Sequence, residues 1–391
     1  MPQSGRVRSM TPRQRFNAAL TFGTLDHVPF VPGFGRKSTR EAWLRQGLPA
    51  HVTDIAAHVR ELTGVPPEPA AEPIVLEAGF RMIPQFEEKI LERRPPPDPG
   101  ARGTLVVQDW KGNICEISDE FDVTYLRNPV DFVTRSWLRC PVESRADWAA
   151  MIRRYDPGDP HRLPADFARS ARLSHDRPDV GGISISGPFW QLREWLGFEN
   201  LCMLLLDDPA FVGEMIEFWQ LFVSAMLGRI LPHYRPDFIT VNEDMAYKEK
   251  PMIGPGMARR FLLPCWRAWA GQIRGAGVPV YEVDSDGDVG LLLPLFIEAG
   301  FNSNTPLEVA AGNDLPAYRR KYGTRMAYRG GVDKRAMAAG GRVIEREIAR
   351  LQPVIDAGGY IPSCDHGVPP DVSWPNFLLY SRLLARATGW I

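Results

Sequence analysis

The stretch Val278–Asp288, VPVYEVDSDGD, decides how the rest of the chain is interpreted. It begins as an apolar run and ends with three acids within five residues, Asp284, Asp286 and Asp288. Enzymes built on parallel β-strands place their chemistry where a buried strand ends in polar side chains. We therefore interpret this stretch as a buried strand that delivers carboxylates to a functional site.

Two later segments repeat this design. Phe301–Glu308 ends on an acid, and Gly358–Asp371 contains a short strand that ends on Asp365 and His366. Acids gathered in one concave site repel one another unless a cation or shared protons relieve the repulsion. If the three strand ends converge, they form one polar site that holds a metal ion. The predicted ligands are Asp284 or Asp286, or both, together with Glu308 and His366.

Each of these signals is weak when it is taken alone. The D-S-D-G-D segment is equally compatible with an Asx-turn that caps the following helix. It is not an EF-hand loop, because its glycine is the fourth residue and Leu295 stands where the twelfth-position Glu is required. His366 alone is more typical of a loop histidine with local partners, and Glu308 of an acid at a helix N-terminus. The agreement of three separate strand ends favours the site.

The whole chain has the rhythm of alternating strands and helices. Eight β-then-α units without a glycine- or proline-rich linker predict an α/β fold, a single closed (β/α)8 TIM barrel with an N-terminal helical and hairpin elaboration. We expect residues 1–9 to be a leader, 10–391 to be the barrel, and about 95–178 to be an insertion. A two-domain open sheet is the alternative, but no nucleotide-binding glycine motif follows any strand. The predicted strands are His27–Phe34, Phe80–Leu91, Val180–Ser186, Asp237–Asn242, Val278–Val283, Phe301–Asn304, Arg325–Arg329 and Gly359–Pro362.

Further candidates follow from the strand ends. Glu243 is expected to be a general base or a further ligand, although it could equally cap the next turn. Arg36 could anchor a substrate carboxylate by a bidentate contact or pair with a neighbouring acid. The expected substrate-binding residues are Phe189, Trp190, Tyr247 and Arg329, although aromatic residues beside loops more often serve as lid or core packing.

Composition excludes several classes of protein. The chain has 391 residues, of which 44% are hydrophobic and 24% charged, and a net charge of −1. No global field would recruit nucleic acid or an anionic membrane, and the charge-free run Phe218–Gly228 is too short to span a bilayer. We read no signal peptide. Five scattered cysteines, never in a C-x-x-C pair, indicate a reducing, cytoplasmic location.

Several longer segments resemble the uroporphyrinogen decarboxylase superfamily, and the likeness extends over nearly the whole chain. They are TPRQRFNAALTFGTLDHVPF (11–30), ISISGPFW (183–190), VDSDGDVGLLLPLFIEAG (283–300), YRGGVDKRAM (328–337) and GGYIPSCDHGVPPDVSWPNF (358–377). This resemblance implies a (β/α)8 barrel and an activity in either of two classes, decarboxylation or methyl transfer.

The resemblance also implies a comparison of ligands. In corrinoid-linked methyltransferases and in cobalamin-independent methionine synthases, a His-x-Cys pair and a later Cys bind zinc, and the synthases add a Glu. Here the corresponding positions hold Asp284-Ser285-Asp286, Glu308 and His366. Carboxylate and imidazole ligands make a harder site, suited to polarising an oxygen. The decarboxylase itself has an arginine-rich segment where this chain has Pro32–Lys37, with one Arg and one Lys, so an eight-carboxylate tetrapyrrole would find few partners.

The leading hypothesis is a metal-dependent methyltransferase or demethylase of that superfamily. It would act on a small methoxy, methylthio or methylamino substrate, with zinc as the expected ion and a corrinoid-binding protein, carrying methylcobalamin, as the methyl partner. The catalytic residues would be Asp286, His366, Glu243 and Arg36. One alternative is a lyase that decarboxylates a small carboxylated ring, and another is a non-catalytic tetrapyrrole- or corrinoid-binding protein. Self-association into a homodimer is also compatible with the sequence.

Overall fold

The first helix begins with a capping box. In this computed structural model, which describes residues 9–68, 74–76, 79–96, 98, 100–127, 131 and 133–391, Thr11 caps a helix that starts at Pro12. The Thr11 side chain accepts a hydrogen bond from Gln14 N, and the Gln14 side chain accepts one from Thr11 N. This reciprocal pair satisfies two backbone donors that a helix start leaves free.

Eleven strands are present in the described residues. Their bounds are β1 Ile74–Leu76, β2 Lys89–Arg94, β3 Thr104–Gln108, β4 Ile114–Ser118, β5 Arg135–Arg139, β6 Gly181–Ser186, β7 Phe238–Asn242, β8 Val280–Asp284, β9 Ser303–Thr305, β10 Ala327–Val332 and β11 Tyr360–Cys364. One sheet has seven strands in the order β1-β6-β7-β8-β9-β10-β11. The pairs β1–β6, β7–β8, β8–β9, β9–β10 and β10–β11 are parallel. The other is the antiparallel sheet β2-β3-β4-β5.

Fifteen α-helices lie between and around the strands in the described part of the chain. Their bounds are α1 Pro12–Leu20, α2 Lys37–Leu44, α3 Ile55–Thr63, α4 Arg145–Met151, α5 Phe167–His175, α6 Pro188–Leu196, α7 Phe198–Asp207, α8 Pro209–Ile230, α9 Pro255–Phe261, α10 Leu263–Gly275, α11 Leu293–Ala299, α12 Leu315–Tyr322, α13 Lys334–Ala339, α14 Gly341–Asp356 and α15 Trp374–Ala387. From β6 onward each strand of the parallel sheet is followed by at least one α-helix; after β9 a 3-10 turn precedes α12.

The last six predicted strands are confirmed, but the first two are corrected. The segment His27–Phe34 forms no strand, because two prolines remove hydrogen-bond donors that a ladder needs. Just beyond it, Gly35 makes an isolated parallel bridge with Val368. The segment predicted at Phe80–Leu91 instead contributes its last residues to β2 of the antiparallel sheet, and β1 takes the edge of the parallel sheet. A closed eight-stranded barrel is therefore not shown by the strand pairing of the described residues.

The chain divides into two compact units. The first comprises residues 1–77, 168–185 and 231–391, and it contains nearly all of the parallel sheet. The second comprises 78–167 and 186–230, with the antiparallel sheet and helices α6 to α8. Its β3–β4 hairpin turns at Lys111-Gly112, and Gly112 has the positive φ of 88° that such a turn requires. The core beside this hairpin consists of Leu105, Val107, Cys115, Ile117 and Val123.

The amino-terminal ends of the parallel strands form an apolar cluster with α1. Phe16, Ala19 and Leu20 of α1 pack against one residue from each of five segments, namely Val180, Phe238, Val280, Ala327 and Ile361. All eight side chains are at most 5% exposed. Helix α1 therefore covers that end of the sheet.

Several of the remaining positions on the same face as Phe238 and Val280 are polar. We call this the inner face of the sheet; beyond the apolar cluster it carries Thr240, Glu282, Ser303 and Arg329. The opposite face packs under helices, as Tyr281 shows by donating a hydrogen bond to Trp266 O of α10.

Helix α8 is apolar along most of its length. By length and composition it could cross a membrane, but half of its most apolar stretch is buried inside the protein. Its buried side chains include Trp219, which packs at 5.3 Å between ring centroids against Phe222 and at 5.6 Å against Trp195. A core helix accounts for this pattern. Asp208 separates α8 from the preceding helix α7.

Candidate functional site

The D-S-D-G-D segment forms a tight loop against the end of β7. The Asp284 carbonyl accepts hydrogen bonds from the N–H groups of Glu243 at 2.9 Å and Asp244 at 3.2 Å. Gly287 has φ +74°, and a Cβ placed there would lie 2.4 Å from Ala246 O. Such a contact is closer than any side chain tolerates, so the loops that follow β7 and β8 touch only because residue 287 is glycine.

Two predicted site residues meet beyond the strand ends. His366 Nε2, which follows β11, lies 3.6 Å from Asp286 Oδ2, which follows β8. The Asp286 side chain is 39% exposed and that of His366 is 24% exposed. The structure therefore brings together two titratable groups from strands separated by β9 and β10, and leaves both within reach of a dissolved molecule.

A second cluster lies beside this pair and contains a cation that sequence reasoning missed. Lys334 Nζ, at the start of α13, donates to Glu308 Oε1 at 2.8 Å and lies 3.9 Å from Asp365 Oδ1. Glu308 Oε2 accepts from Gly287 N at 3.1 Å, which joins this cluster to the β8 loop. Asp365 is fully buried, and its Oδ2 accepts from Val309 N at 2.9 Å. Lys334 thus holds two acids from the ends of β9 and β11.

The surroundings of the exposed pair favour its uncharged forms. Burial and the neighbouring acids Asp244 and Glu308 raise the pKa of Asp286 to about 7. Burial lowers the pKa of His366, and this effect exceeds the opposing attraction of Glu308. Burial, Asp286 and Glu282 raise the pKa of Asp284 well above its ordinary value. A protonated carboxyl and a neutral imidazole are therefore accessible near neutral pH.

The lysine cluster behaves in the opposite way. Burial disfavours the charge on Glu308, but the hydrogen bond from Lys334 prevails and lowers the pKa of Glu308. Burial likewise opposes the Lys334 charge, and the hydrogen bond to Glu308 prevails and raises the pKa of Lys334. Burial raises the pKa of Asp365 to about 6 despite its lysine neighbour. Glu308 and Lys334 consequently form a charged pair beside the more nearly neutral Asp286–His366 pair.

The predicted ligands do not form a metal centre in this arrangement. Among the described residues, which include all four predicted ligands, no group of three or more His, Cys, Asp or Glu side chains is placed to hold one ion. Both carboxylate oxygens of Glu308 are already engaged, by Lys334 and by Gly287 N. We expected a metal ion to relieve the repulsion between the acids. Here the positive charge beside Glu308 and Asp365 is the ammonium group of Lys334. The residues as placed do not fit a divalent ion.

Arg36 and Tyr247 lie beside the same loops. A Cβ on Gly367 would come 3.4 Å from Arg36 Nε, which places the guanidinium next to the residue that follows His366. Arg36 is among the charges that favour the ionised form of Asp286. The Tyr247 carbonyl accepts from Asp288 N at 2.8 Å, and its side chain is 51% exposed. Both residues are therefore at the edge where we predicted them.

Glu243 is turned away from this edge. Its carboxylate is fully buried, and Oε1 accepts a hydrogen bond from Trp266 Nε1 of α10 at 2.6 Å. That position ties the end of β7 to a helix on the outer side of the sheet. The role of general base, predicted from its place in the sequence, does not follow from this geometry.

Arg329 lies deeper, on the inner face. Its Nη1 donates to Glu282 Oε1 at 2.9 Å, and Glu282 also accepts from Thr240 Oγ1 at 3.0 Å and from Ser303 Oγ at 2.9 Å. The Glu282 side chain is 1% exposed, whereas that of Arg329 is 26% exposed. The arginine is thus held by a buried acid and still reaches solvent.

Phe189 and Trp190 belong to the second compact unit. Phe189 is buried in α6, and Trp190 is half-buried on the same helix, with Arg193 at 4.8 Å and the Lys111 ammonium at 6.0 Å from its ring. Their predicted role in substrate binding stays a prediction.

Several important residues were not among the predicted site residues. Asp244 stands one position beyond the predicted Glu243, and Lys334 stands two positions beyond the end of β10. Asp244 has a positive φ of 39°, which is uncommon outside glycine. Asp365 was recognised at a strand end but was not assigned a role. Glu282 lies inside an apolar run, where a lone charge is the available sequence signal for an inward-facing polar position.

Comparisons with known proteins support the fold. A methyltransferase from Methanosarcina mazei matches with a TM-score of 0.54 and 15% sequence identity, over 97% of this chain and 98% of that one. A B12-independent methionine synthase from Shewanella sp. W3-18-1 matches with a TM-score of 0.30 and 10% identity, over 58% of this chain and 67% of that one, a likeness too low to carry an argument. No family model and no curated protein matches. The chain therefore has an α/β fold similar to that of a methyltransferase.

Proposed function

We propose that this chain is an enzyme that transfers a methyl group from, or to, a heteroatom of a small polar substrate bound at the carboxyl ends of the parallel strands. The observation that carries the proposal is the contact between Asp286 and His366. The two groups come from different strand ends, lie 3.6 Å apart and remain partly exposed. A carboxyl group paired with an imidazole at such an edge is equipped for proton transfer to a bound molecule. The fold shared with a methyltransferase supports the choice of reaction.

In the proposed demethylation, the bond changes and the roles of the residues are as follows. The bond between the methyl carbon and the heteroatom breaks, its electron pair stays on the heteroatom, and the methyl carbon bonds to a nucleophilic acceptor. Asp286 donates the proton that the heteroatom then needs, and His366 returns a proton to Asp286 from solvent. The Glu308–Lys334 pair holds the β8 loop in place through Gly287 N. The acceptor comes from outside the chain, and we propose a corrinoid carried by a partner protein.

The divalent metal expected from the sequence, zinc in the first place, stays a prediction, and no step above depends on it. Equilibrium dialysis against zinc followed by metal analysis tests it directly. Stoichiometric binding that is lost in His366→Ala would show that the side chains rearrange around an ion, and the proton-transfer roles would then have to be reassigned.

We further propose that the parallel sheet closes into a (β/α)8 barrel and that the chain is a distant member of the uroporphyrinogen decarboxylase superfamily. The bridge between Gly35 and Val368 supports closure, because it places the segment after the predicted first strand beside the end of β11. Val368 N also donates to Phe34 O at 2.8 Å. An experimental structure in which residues 27–35 lie away from β1 would contradict closure.

The methyl-transfer proposal is tested with donors of three kinds. The purified protein is incubated with methoxy, methylthio and methylamino compounds bearing deuterated methyl groups, with chemically reduced cobalamin as the acceptor, and labelled methylcobalamin is measured. We expect protein-dependent transfer from at least one class, and a loss of at least about 100-fold in Asp286→Asn. No transfer from any class, or full activity in that variant, would refute the proposal.

Arg36 favours a second candidate, a lyase that decarboxylates a small carboxylated substrate. Its guanidinium lies beside the residue that follows His366, where a bidentate contact would orient a carboxylate. Loss of CO2 would leave an electron pair on carbon, and Asp286 would donate the proton that replaces it. Measuring CO2 release in the absence of a methyl acceptor distinguishes the two candidate functions, because only decarboxylation produces CO2.

A further inference from the structure

We propose that Arg329 binds a carboxylate group of the substrate on the inner face of the sheet, below Asp286 and His366. This inference rests on the proposed function only in taking the bound molecule to be the substrate. It assigns the substrate to one chemical class, the methylated carboxylic acids, with the acid and the methylated heteroatom at opposite ends of the molecule.

The first step of the argument is that a buried acid sets the orientation of the guanidinium. Glu282 is almost fully buried, and its two carboxylate oxygens accept from Thr240, Ser303 and Arg329 Nη1. A carboxylate held by three donors from three neighbouring strands has little freedom. It therefore holds Arg329 in one position before any ligand arrives, which lowers the entropy cost of binding.

The second step concerns the edge of the guanidinium that Glu282 leaves open. The described residues include no hydrogen-bond acceptor for Nε or Nη2 of Arg329. Neither nitrogen is among the buried side-chain atoms that lack a partner, although Arg319 Nε is. Both nitrogens therefore reach solvent. The Nε–Nη2 edge presents two parallel N–H groups, the geometry that binds a carboxylate in bidentate fashion.

The third step is that solvent reaches this edge from the carboxyl ends of the strands. On its other side Arg329 lies 5.6 Å from the ring centroids of both Phe16 and Phe238, which are buried in the apolar cluster with α1. Toward the carboxyl ends the inner face carries small or polar side chains that remain partly exposed, such as Ser184 and Asn242. The two aromatic rings lie beneath the guanidinium group, and its Nε–Nη2 edge remains open to solvent.

The spacing along β8 sets the length of the ligand. Asp284 is two residues beyond Glu282 on this strand, and Asp286 is two residues further in the loop. At about 3.3 Å per residue, the Asp286 carboxyl lies roughly 7–13 Å along the strand axis from Glu282, whose carboxylate holds the Arg329 guanidinium. A ligand that satisfies both ends carries its carboxylate and its methylated heteroatom on opposite sides of a spacer such as an aromatic ring.

Binding of a matched pair of ligands tests the proposal without turnover. The probes are 4-methoxybenzoate and 4-methoxybenzamide, which differ in charge but hardly in shape, and affinity is measured by isothermal titration calorimetry. We expect the wild type to bind the acid at least about 10-fold more tightly than the amide, because only the acid accepts two charge-assisted hydrogen bonds. A wild type without this preference, including one that binds neither probe, overturns the proposal.

The variants are chosen so that a loss of binding cannot be attributed to misfolding. Arg329→Met alone leaves the buried Glu282 without its cation, so the informative variant is the double substitution Glu282→Gln with Arg329→Met. In a folded double variant the preference for the acid should disappear, and Arg329→Lys should retain part of it. A double variant that keeps the full preference assigns the carboxylate to another cation and overturns the proposal. Acid binding through Arg329 without any methyl transfer would refute the proposed function and leave this inference standing.

Discussion

The two ends of the parallel strands differ in composition although they belong to the same short segments. At the amino end, Phe238 and Val280 are at most 2% exposed and pack against α1. Four residues further along the same strands, Asn242 and Asp284 are partly exposed and polar. Each strand therefore begins in the core and finishes in the site. Residues that stabilise the fold and residues of the candidate site therefore lie at opposite ends of the same strands. Substitutions at the amino end should lower stability, and substitutions at the carboxyl end should lower activity.

The largest effect on stability is expected at the apolar end. Phe238→Ala should lower the free energy of unfolding by about 3–5 kcal/mol, because it removes a buried ring and leaves a cavity beside Phe16. The matched control on the same strand is Asn242→Ser, which should cost no more than about 1.5 kcal/mol, since it loses one side-chain hydrogen bond to Ser184. Urea denaturation measures both. Equal losses would show that the two ends contribute alike.

The largest effect on activity is expected at the polar end. Asp286→Asn should lower kcat by about 10²- to 10⁴-fold, because the amide cannot donate the acidic proton. The melting temperature at neutral pH should not fall below that of the wild type, because the variant lacks the carboxylate whose ionised form the site disfavours. In the wild type, kcat should fall as the pH rises through about 7, where Asp286 loses its proton. Steady-state kinetics and thermal denaturation check both points. An active variant would remove Asp286 from the reaction.

A smaller effect is expected from the lysine that links the strand ends. Lys334→Met should destabilise the protein by about 1–3 kcal/mol, because it leaves Glu308 and the buried Asp365 without their cation. The neighbouring Arg335→Met is the control. It removes an exposed pair with Asp333 and should cost less than about 1 kcal/mol. If chemical denaturation gives the two variants the same stability, Lys334 does not balance the acids of the site.

A further effect concerns the dependence of stability on pH. The pKa of Asp286 is about 7 in the folded protein and near 3.8 when unperturbed. Between these values the folded state binds more protons than the unfolded state, so this residue makes stability fall as the pH rises from about 4 to about 7. Asp286→Asn should remove that contribution and make the decline with pH shallower.

Asp208 provides a control of opposite sign for this measurement. The hydrogen bonds from Phe211 N and from Arg145 lower the pKa of Asp208. The unfolded state therefore binds more protons at this residue, and its contribution to stability is lost as the pH falls. In Asp208→Asn, chemical denaturation should show a smaller loss of stability as the pH falls from about 5 to about 3. In Asp286→Asn, it should show a smaller loss as the pH rises from about 4 to about 7, which is a change of slope in the opposite direction. A shared direction would contradict the raised pKa of Asp286.

Local patterns predicted the second half of the chain well. Strands β7 and β8 are mainly apolar runs that end on Asn242 and Asp284, β11 is followed by Asp365, and all three lie where this pattern placed them. The pattern failed at His27–Phe34 and Phe80–Leu91, because pairing is decided by partners distant in sequence. Prolines reduced the first segment to the single bridge at Gly35, and the second joined a different sheet.

The candidate site was predicted in its location but not in its electrostatics. Parallel strands bring their carboxyl ends to one edge, so the meeting of Asp286 and His366 follows from the order of the strands. The compensating cation could not be inferred in the same way. Lys334 begins a helix after Asp333, where sequence alone indicates only a helix start, and its reach to Glu308 depends on the spacing of β9 and β10.

The absence of a side chain at Gly287 constrains how this protein can evolve. Residue 287 lies directly against the backbone of Ala246 and Tyr247, so the shapes of the loops after β7 and β8 depend on each other. A substitution that reshapes the loop around Tyr247 to admit a new substrate would also displace Asp286. Substrate preference and acid strength are therefore linked traits, and selection for a new specificity must begin at loops that do not touch this glycine.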